Sequence, residues 1–189
     1  MTGAAAGLAA AKRLARQAAL ARRSEAFAMG HPAPAALLSE VLAEHRGRAV
    51  AGYVAMRTEV DPLPALAEAA RQGPVGLPVV EGSGLPLRFR AWAPGAALVP
   101  GGLGTLVPEG GPWVEPEVLV VPLVAFDRRG GRLGYGGGFY DRTLAALRAR
   151  GPAVAVGFAW GAQEDEGLPL EETDAPLDLI VTEAEVIRL

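Results

Sequence analysis

The sequence predicts an α/β protein, with a mostly parallel sheet flanked by helices in three layers and a single domain over residues 1–189. Two patterns carry this expectation. Short apolar runs alternate with segments of helical periodicity, as a sheet interleaved with covering helices requires. The run at 118–126 is almost wholly apolar, which suits a central parallel strand covered on both faces. At 189 residues the chain can bury roughly 70% of the surface its unfolded form exposes, so the fold needs no disulfide or metal to hold it.

Residues 3–29 are rich in Ala and Leu with interspersed Arg and contain no proline, which predicts a long first helix. Gly30-His31-Pro32 stops it. Pro32 or Pro34 starts a second helix through Leu37, Leu38, Val41 and Leu42, whose spacing makes one apolar face. Strands are expected at 49–56, 74–80 and 87–92, with a helix at 64–72 between the first two. Arg88-Phe89-Arg90-Ala91 alternates, so the third of these strands has one wet face. Residues 93–116, rich in glycine and proline, are expected to be a long loop, and long ordered loops are often functional. After the strand at 118–126 come a turn at 127–131, a helix from Phe139 to about Arg150 closed by Gly151-Pro152, and strands at 153–160 and 177–183.

Composition removes several classes of function. The absence of cysteine excludes thiolate nucleophiles and Cys-based metal sites. His31 and His45 lie too far apart to share a helix face as metal ligands and are expected to be surface or capping residues. None of Ser24, Ser39 and Ser83 stands in a nucleophile elbow. A net charge of −3 gives no global field for nucleic acid, and no uninterrupted apolar run is long enough to span a membrane. The Arg-rich, acid-free start also resembles a transit peptide. It has almost no hydroxyl residues, however, and is expected to be a mature helix of a cytoplasmic protein. Abundant Arg, Ala, Gly and Pro fit heat adaptation and a GC-rich genome equally.

The chemistry is concentrated in Arg132-Leu133-Gly134-Tyr135-Gly136-Gly137-Gly138-Phe139-Tyr140-Asp141. A glycine-rich loop that opens a helix presents backbone N–H groups and a positive dipole end, both suited to phosphate. It is neither a Walker loop nor a dinucleotide fingerprint, because no Lys-Ser/Thr follows the glycines and Phe139 occupies the place of the last glycine. A tight turn would need the same glycines. Arg132 at the entrance could pair with phosphate, and Asp141 in the first helical turn could cap the helix or hold a metal. Lys12 and Arg16, four residues apart, place two cations on one helix face. Tyr135 and Phe139 are expected to offer aromatic surface to a ligand. Arg22, Arg23, Arg128 and Arg129 are expected to be surface charge.

This stretch, together with Val120-Val121-Pro122 and Ala125-Phe126-Asp127 before it, resembles the signature of the 5-formyltetrahydrofolate cyclo-ligase family. The resemblance extends to Lys12 and Arg16, to Glu59-Val60-Asp61, and to Asp174-Ala175-Pro176-Leu177-Asp178 with Val181-Thr182-Glu183, and is weakest over 93–116. It implies ATP- and Mg²⁺-dependent closure of 5-formyltetrahydrofolate to 5,10-methenyltetrahydrofolate. In this family Lys12, Arg16 and the loop from Arg132 to Tyr140 would contact ATP, while Asp141 and Asp174 would hold magnesium. Val54, Glu59 and the loop residues Tyr135, Gly136, Gly137, Gly138 and Phe139 would face the folate. Arg132 and Asp141 would act in catalysis. Asp174 reads equally as a turn residue before Ala175-Pro176, and Asp61 reads as a helix cap. The sequence departs from the family pattern at Leu123, Phe139, Val107 and Thr173, so a relative that binds nucleotide or folate without turnover is the alternative. The small-molecule partners implied are ATP and folate, and a monomer is expected.

Overall fold

The computed structural model describes residues 3–31, 34–171 and 173–189. The first helix, α1 (Gly3–Met29), occupies the expected span. Pro32, one of the two expected starts of the second helix, lies outside the described residues, and α2 runs Ala36–Ala43 with Leu38, Val41 and Leu42 buried. Then follow β1 (Val50–Ala51), α3 (Leu63–Ala69), β2 (Val75–Val79) and β3 (Arg88–Ala91). Asp61 caps α3 as expected, its Oδ1 accepting the Leu63 N–H at 3.0 Å.

The stretch 93–116 is more ordered than a loop. It holds the hairpin β4 (Leu98–Pro100) and β5 (Leu106–Pro108), and then β6 (Trp113–Val114), which adds an antiparallel edge to the main sheet. The expected strand at 118–126 divides into β7 (Val118–Pro122) and β8 (Ala125–Phe126). Between them the chain leaves the sheet, and the carbonyls of Leu123 and Val124 accept instead from the buried Gln163 amide, at 2.8 and 3.0 Å. β8 pairs with β9 (Arg132–Leu133), and α4 (Phe139–Arg148), β10 (Val154–Phe158), β11 (Leu179–Val181) and β12 (Val186–Arg188) complete the chain.

The main sheet has the order β12-β11-β10-β7-β1-β2-β3-β6, with the five strands from β11 to β2 parallel. In chain order these five read 2-1-3-4-5, the doubly wound arrangement that reverses direction between β1 and β7. Alternate side chains of β7 serve the two faces. Val118 and Val120 pack with Leu38, Val41, Leu42 and Leu66 from α2 and α3, and Leu119 and Val121 pack with Leu144 and Leu147 from α4. These are the three expected layers. A third, smaller cluster seats Ala19 of α1 on Val124, Ala125 and Leu133, fixing α1 across the carboxyl rim of the sheet.

β1 is shorter than the expected strand at 49–56. The Cβ position of Gly52 is filled by the Leu66 side chain, 2.4 Å from its Cδ1, and beyond it the chain turns out over the rim to bring Tyr53 and Val54 to the cleft described below. At the other end of the rim, Thr143 of α4 accepts the buried Leu87 N–H through Oγ1 at 2.8 Å. Thr143→Val keeps the shape but orphans that donor, and is expected to cost about 1–3 kcal/mol. Denaturant unfolding with an unchanged slope measures it.

Candidate active site

A cleft of about 1390 Å³ opens at the carboxyl ends of β1, β2 and β7, where the strand order reverses and doubly wound sheets bind ligands. All the expected site residues line it: Lys12, Arg16, Val54, Glu59, the loop from Arg132 to Tyr140, Asp141 and Asp174. The loop contributes to it unevenly. The Leu133 side chain is buried against Ala19, so this residue faces the cleft through its backbone.

One end of the cleft is a tray of paired charges. Arg132, buried at the loop entrance, donates from Nη2 to Asp141 Oδ1 at 2.8 Å and from Nη1 to the Ala175 carbonyl at 2.7 Å. Asp141 Oδ1 also accepts the Ala175 N–H at 3.1 Å. Asp141 therefore ties α4 to the segment at 173–176 and does not cap its own helix, which correspondingly has no side-chain cap bond. Lys12 donates to Asp174 Oδ2 at 2.7 Å and to Glu171 Oε2 at 2.9 Å. Asp174 Oδ2 accepts the Glu171 N–H as well, so its turn role and its place in the cleft coexist. Burial disfavours the Lys12 ammonium, but the hydrogen bonds and charges of Asp174 and Glu171 outweigh this and hold its pKa above the usual lysine range. Burial pulls the Arg132 guanidinium downward against Asp141 and Asp174, and it remains a cation at neutral pH.

Above the tray, Arg16 Nε donates to the Gly134 carbonyl at 2.7 Å, fixing α1 to the glycine loop. Gly136 and Gly138 have φ of +93° and +66°, conformations that strain residues with a Cβ, and Gly138 leads directly into α4. Arg142 donates to the Gly137 carbonyl at 2.7 Å and lies over the Phe139 ring at 5.2 Å, so one face of that ring is covered by the protein itself.

The other end of the cleft centres on Glu59. Its Oε2 accepts the Met56 N–H and its Oε1 the Tyr135 hydroxyl, both at 2.8 Å. Burial holds this carboxyl above its usual range, opposed by those two hydrogen bonds and by the charges of Arg23 and Arg57. Arg23 corrects the expectation of surface charge: it is 1% exposed and donates to the Tyr135 hydroxyl and to Thr58 Oγ1, each at 2.9 Å. Its Nη1 stands 3.9 Å from Glu59 Oε1. The signal for Arg23 lay in its spacing, since Lys12, Arg16, Ala19, Arg23 and Ala26 fall at steps of four, three, four and three along one helix face. Arg22, Arg128 and Arg129 form partly exposed ion pairs, as expected. Trp160 is a core residue whose Nε1 donates to the Thr58 carbonyl. Tyr140 lines the cleft, and burial keeps its phenol well above the usual tyrosine range, so it keeps its proton at neutral pH.

Fold and site together define a doubly wound α/β protein with a glycine-rich loop and a tray of paired charges at its topological switch point and a buried acid across from them. The chain belongs to the 5-formyltetrahydrofolate cyclo-ligase family, whose sequence profile matches residues 9–183. A 5-formyltetrahydrofolate cyclo-ligase from Mycolicibacterium smegmatis is 35% identical over 150 residues, covering 72% of this chain and 74% of that protein. The Haemophilus influenzae protein of the same name is 49% identical over 71 residues, a match that spans 37% of either chain. The solved structure of 5,10-methenyltetrahydrofolate synthetase from Aquifex aeolicus superposes with a TM-score of 0.71 at 30% identity, over 94% of this chain and 92% of that one. The synthetase from Mycoplasma pneumoniae shares the fold, with a TM-score of 0.60 at 20% identity, over 91% and 98% of the two chains.

Proposed function

We propose that this protein closes 5-formyltetrahydrofolate to 5,10-methenyltetrahydrofolate at the expense of ATP, releasing ADP and phosphate. The observation that carries the reading is the single cleft with a charged glycine cradle at one end and the buried Glu59 at the other, in a member of the cyclo-ligase family. In the reaction the γ-phosphoryl group passes to the formyl oxygen, N10 attacks the formyl carbon and loses its proton, and phosphate leaves with that oxygen. Lys12, Arg16, Arg132 and the N–H groups of Gly134, Gly136, Gly137 and Gly138 hold and orient the phosphates. Glu59 and Val54 position the pterin, with Tyr135 beside it. Each carboxylate oxygen has two acceptor sites, so Glu59 can take a ligand N–H in addition to its protein donors.

Asp141 and Asp174 are the groups that would hold Mg²⁺. Each engages protein through one oxygen, and Asp141 Oδ2 and Asp174 Oδ1 make no protein hydrogen bond among the described residues. These are hard oxygen ligands of the kind magnesium takes alongside phosphate, where the ion offsets charge developing on the transferring group. We read residues 1–189 as one domain acting as a cytoplasmic monomer with ATP and folate as its small-molecule partners. The expected site residues all line one cleft of a single chain, and among the described residues no helix is long and apolar enough to cross a membrane.

An absorbance assay for methenyltetrahydrofolate tests the reading: product is expected only with both ATP and magnesium. Nucleotide binding without product would place the protein among non-catalytic relatives. Within this reading Arg132→Ala is expected to weaken ATP binding by about 1.5–3 kcal/mol, the scale of a charge-assisted hydrogen bond, as measured by calorimetry. Unchanged affinity in a folded variant would remove Arg132 from the site.

A further inference from the structure

Among the described residues only Arg57 and Leu103 combine a side chain with a clearly left-handed backbone, at φ of 56° and 57°. They come from distant parts of the chain, Arg57 from the turn after β1 and Leu103 from the tip of the β4–β5 hairpin. Both line the same hollow of about 300 Å³, whose other walls include Val54, Met56 and Leu106. These five residues also line the main cleft, so the hollow opens into it next to Glu59. Such strain persists only where the surroundings over-determine it, and it clusters where ligands are held. The walls are apolar. Arg57 is exposed at the rim and makes no hydrogen bond or ion pair among the described residues. Every other arginine at the cleft, Arg16, Arg132, Arg142 and Arg148, is engaged with a protein oxygen.

An apolar slot ending in a free planar cation fits a flat aromatic ring that bears a carboxylate on an amide-linked arm, because the ring can bury against aliphatic side chains while the guanidinium takes the carboxylate in a two-point pair. We propose that this hollow is the subsite for the aminobenzoyl-glutamate end of the folate, with Arg57 as the residue that selects the glutamate carboxylate. The inference rests on the folate reading of the cleft. It assigns the hairpin of residues 98–108 a part in substrate choice, and it orients the folate with its pterin at Glu59 and its tail running outward past Leu103.

Arg57→Gln removes the charge, and the exposed position leaves the melting temperature unaffected. Its KM for 5-formyltetrahydrofolate is expected to rise about 10–100-fold, the equivalent of one charge-assisted hydrogen bond, with kcat and the KM for ATP unchanged. For the 5-formyltetrahydropteroyl amide, which keeps the ring but carries no carboxylate, the KM of the variant is expected to stay close to that of the wild type. The same comparison is made at equilibrium by fluorescence titration with each pterin, so it does not depend on turnover. Equal affinity of variant and wild type for the glutamylated form overturns the subsite alone, as does a rise confined to the KM for ATP, which would assign Arg57 to the phosphates. Wild-type protein that binds neither pterin overturns the folate reading as well.

Discussion

Asp141→Asn is expected to lower kcat by about 10²–10³, the scale of losing one electrostatic contact to a transition state. Asp141 holds Arg132 by one oxygen and keeps the other free of protein, so it can act on the phosphate end from two directions. The substitution keeps an acceptor for Arg132 and for the Ala175 N–H but removes the negative charge that balances the guanidinium and attracts a hard cation. From the sequence alone the melting temperature should barely move. The pair seen in the structure, 4% and 31% exposed in its two side chains, adds a stability cost of about 1–2 kcal/mol, or a few degrees in a chain of this size. Nearly full specific activity in the folded variant, combined with a large drop in melting temperature, would reduce Asp141 to a strut between α4 and the segment at 173–176.

The second large effect is expected at Arg23. Arg23→Met keeps the apolar stem but leaves Glu59 and the Tyr135 hydroxyl without their cation, which is expected to destabilise the fold by about 3–5 kcal/mol. The sign with pH follows from Glu59. Its carboxyl is already held above the usual range by burial, and losing Arg23 removes one of the charges that lower it. The folded state then favours the neutral acid more strongly than the unfolded chain does. The wild type already carries part of this penalty, so the difference between the two proteins opens as pH rises past the wild-type folded value, above the unfolded carboxyl's range of about 4.3, and is complete above the variant's folded value. Unfolding experiments should find a smaller difference from wild type at pH 4–5 than at pH 7–8. Adding Glu59→Gln to Arg23→Met should recover much of the loss at the higher pH. An equal loss at both pH values, with no recovery in the double variant, would assign the effect to packing alone.

Local preference and tertiary context account for what could and could not be read from the residues. α1 and α4 were legible because Ala- and Leu-rich periodicity, Gly30 and Gly151-Pro152 define them without help from the rest of the chain. β7 was legible because a strand covered on both faces leaves no polar alternation. The strands β6, β9 and β12 are two or three residues long and are set by the partner each one pairs with, so no periodicity announces them. The break after Pro122 depends on Gln163, some forty residues downstream, whose amide replaces the lost strand partners. At the site, four glycines between a strand and a helix with charges on either side stand out in the sequence, although a tight turn would use the same glycines, and the structure brings them to the cleft. Arg23 does not stand out. An arginine on a helix is ordinarily solvated, and the Glu59–Tyr135 pair and Thr58 that face it turn it inward.

Three cations of α1 are carried on one unbroken rod, Lys12 and Arg16 lining the cleft and Arg23 buried behind Glu59 and Tyr135. From Lys12 to Arg23 the helix advances eleven residues, a span of roughly 16 Å at 1.5 Å per residue. Lys12 stands in the charged tray and Arg23 beside Glu59, so this helix acts as a ruler between the two ends of the cleft. Loops around the cleft can lengthen or change without altering that interval. A single residue inserted between Arg16 and Arg23 cannot be absorbed in the same way, because it would swing everything beyond it by about 100° and advance it by 1.5 Å, carrying Arg23 away from Tyr135 while Lys12 stays in place. The interval between the two ends of the cleft is in this sense written into a residue count, and length variation should be tolerated everywhere around the cleft sooner than between Arg16 and Arg23.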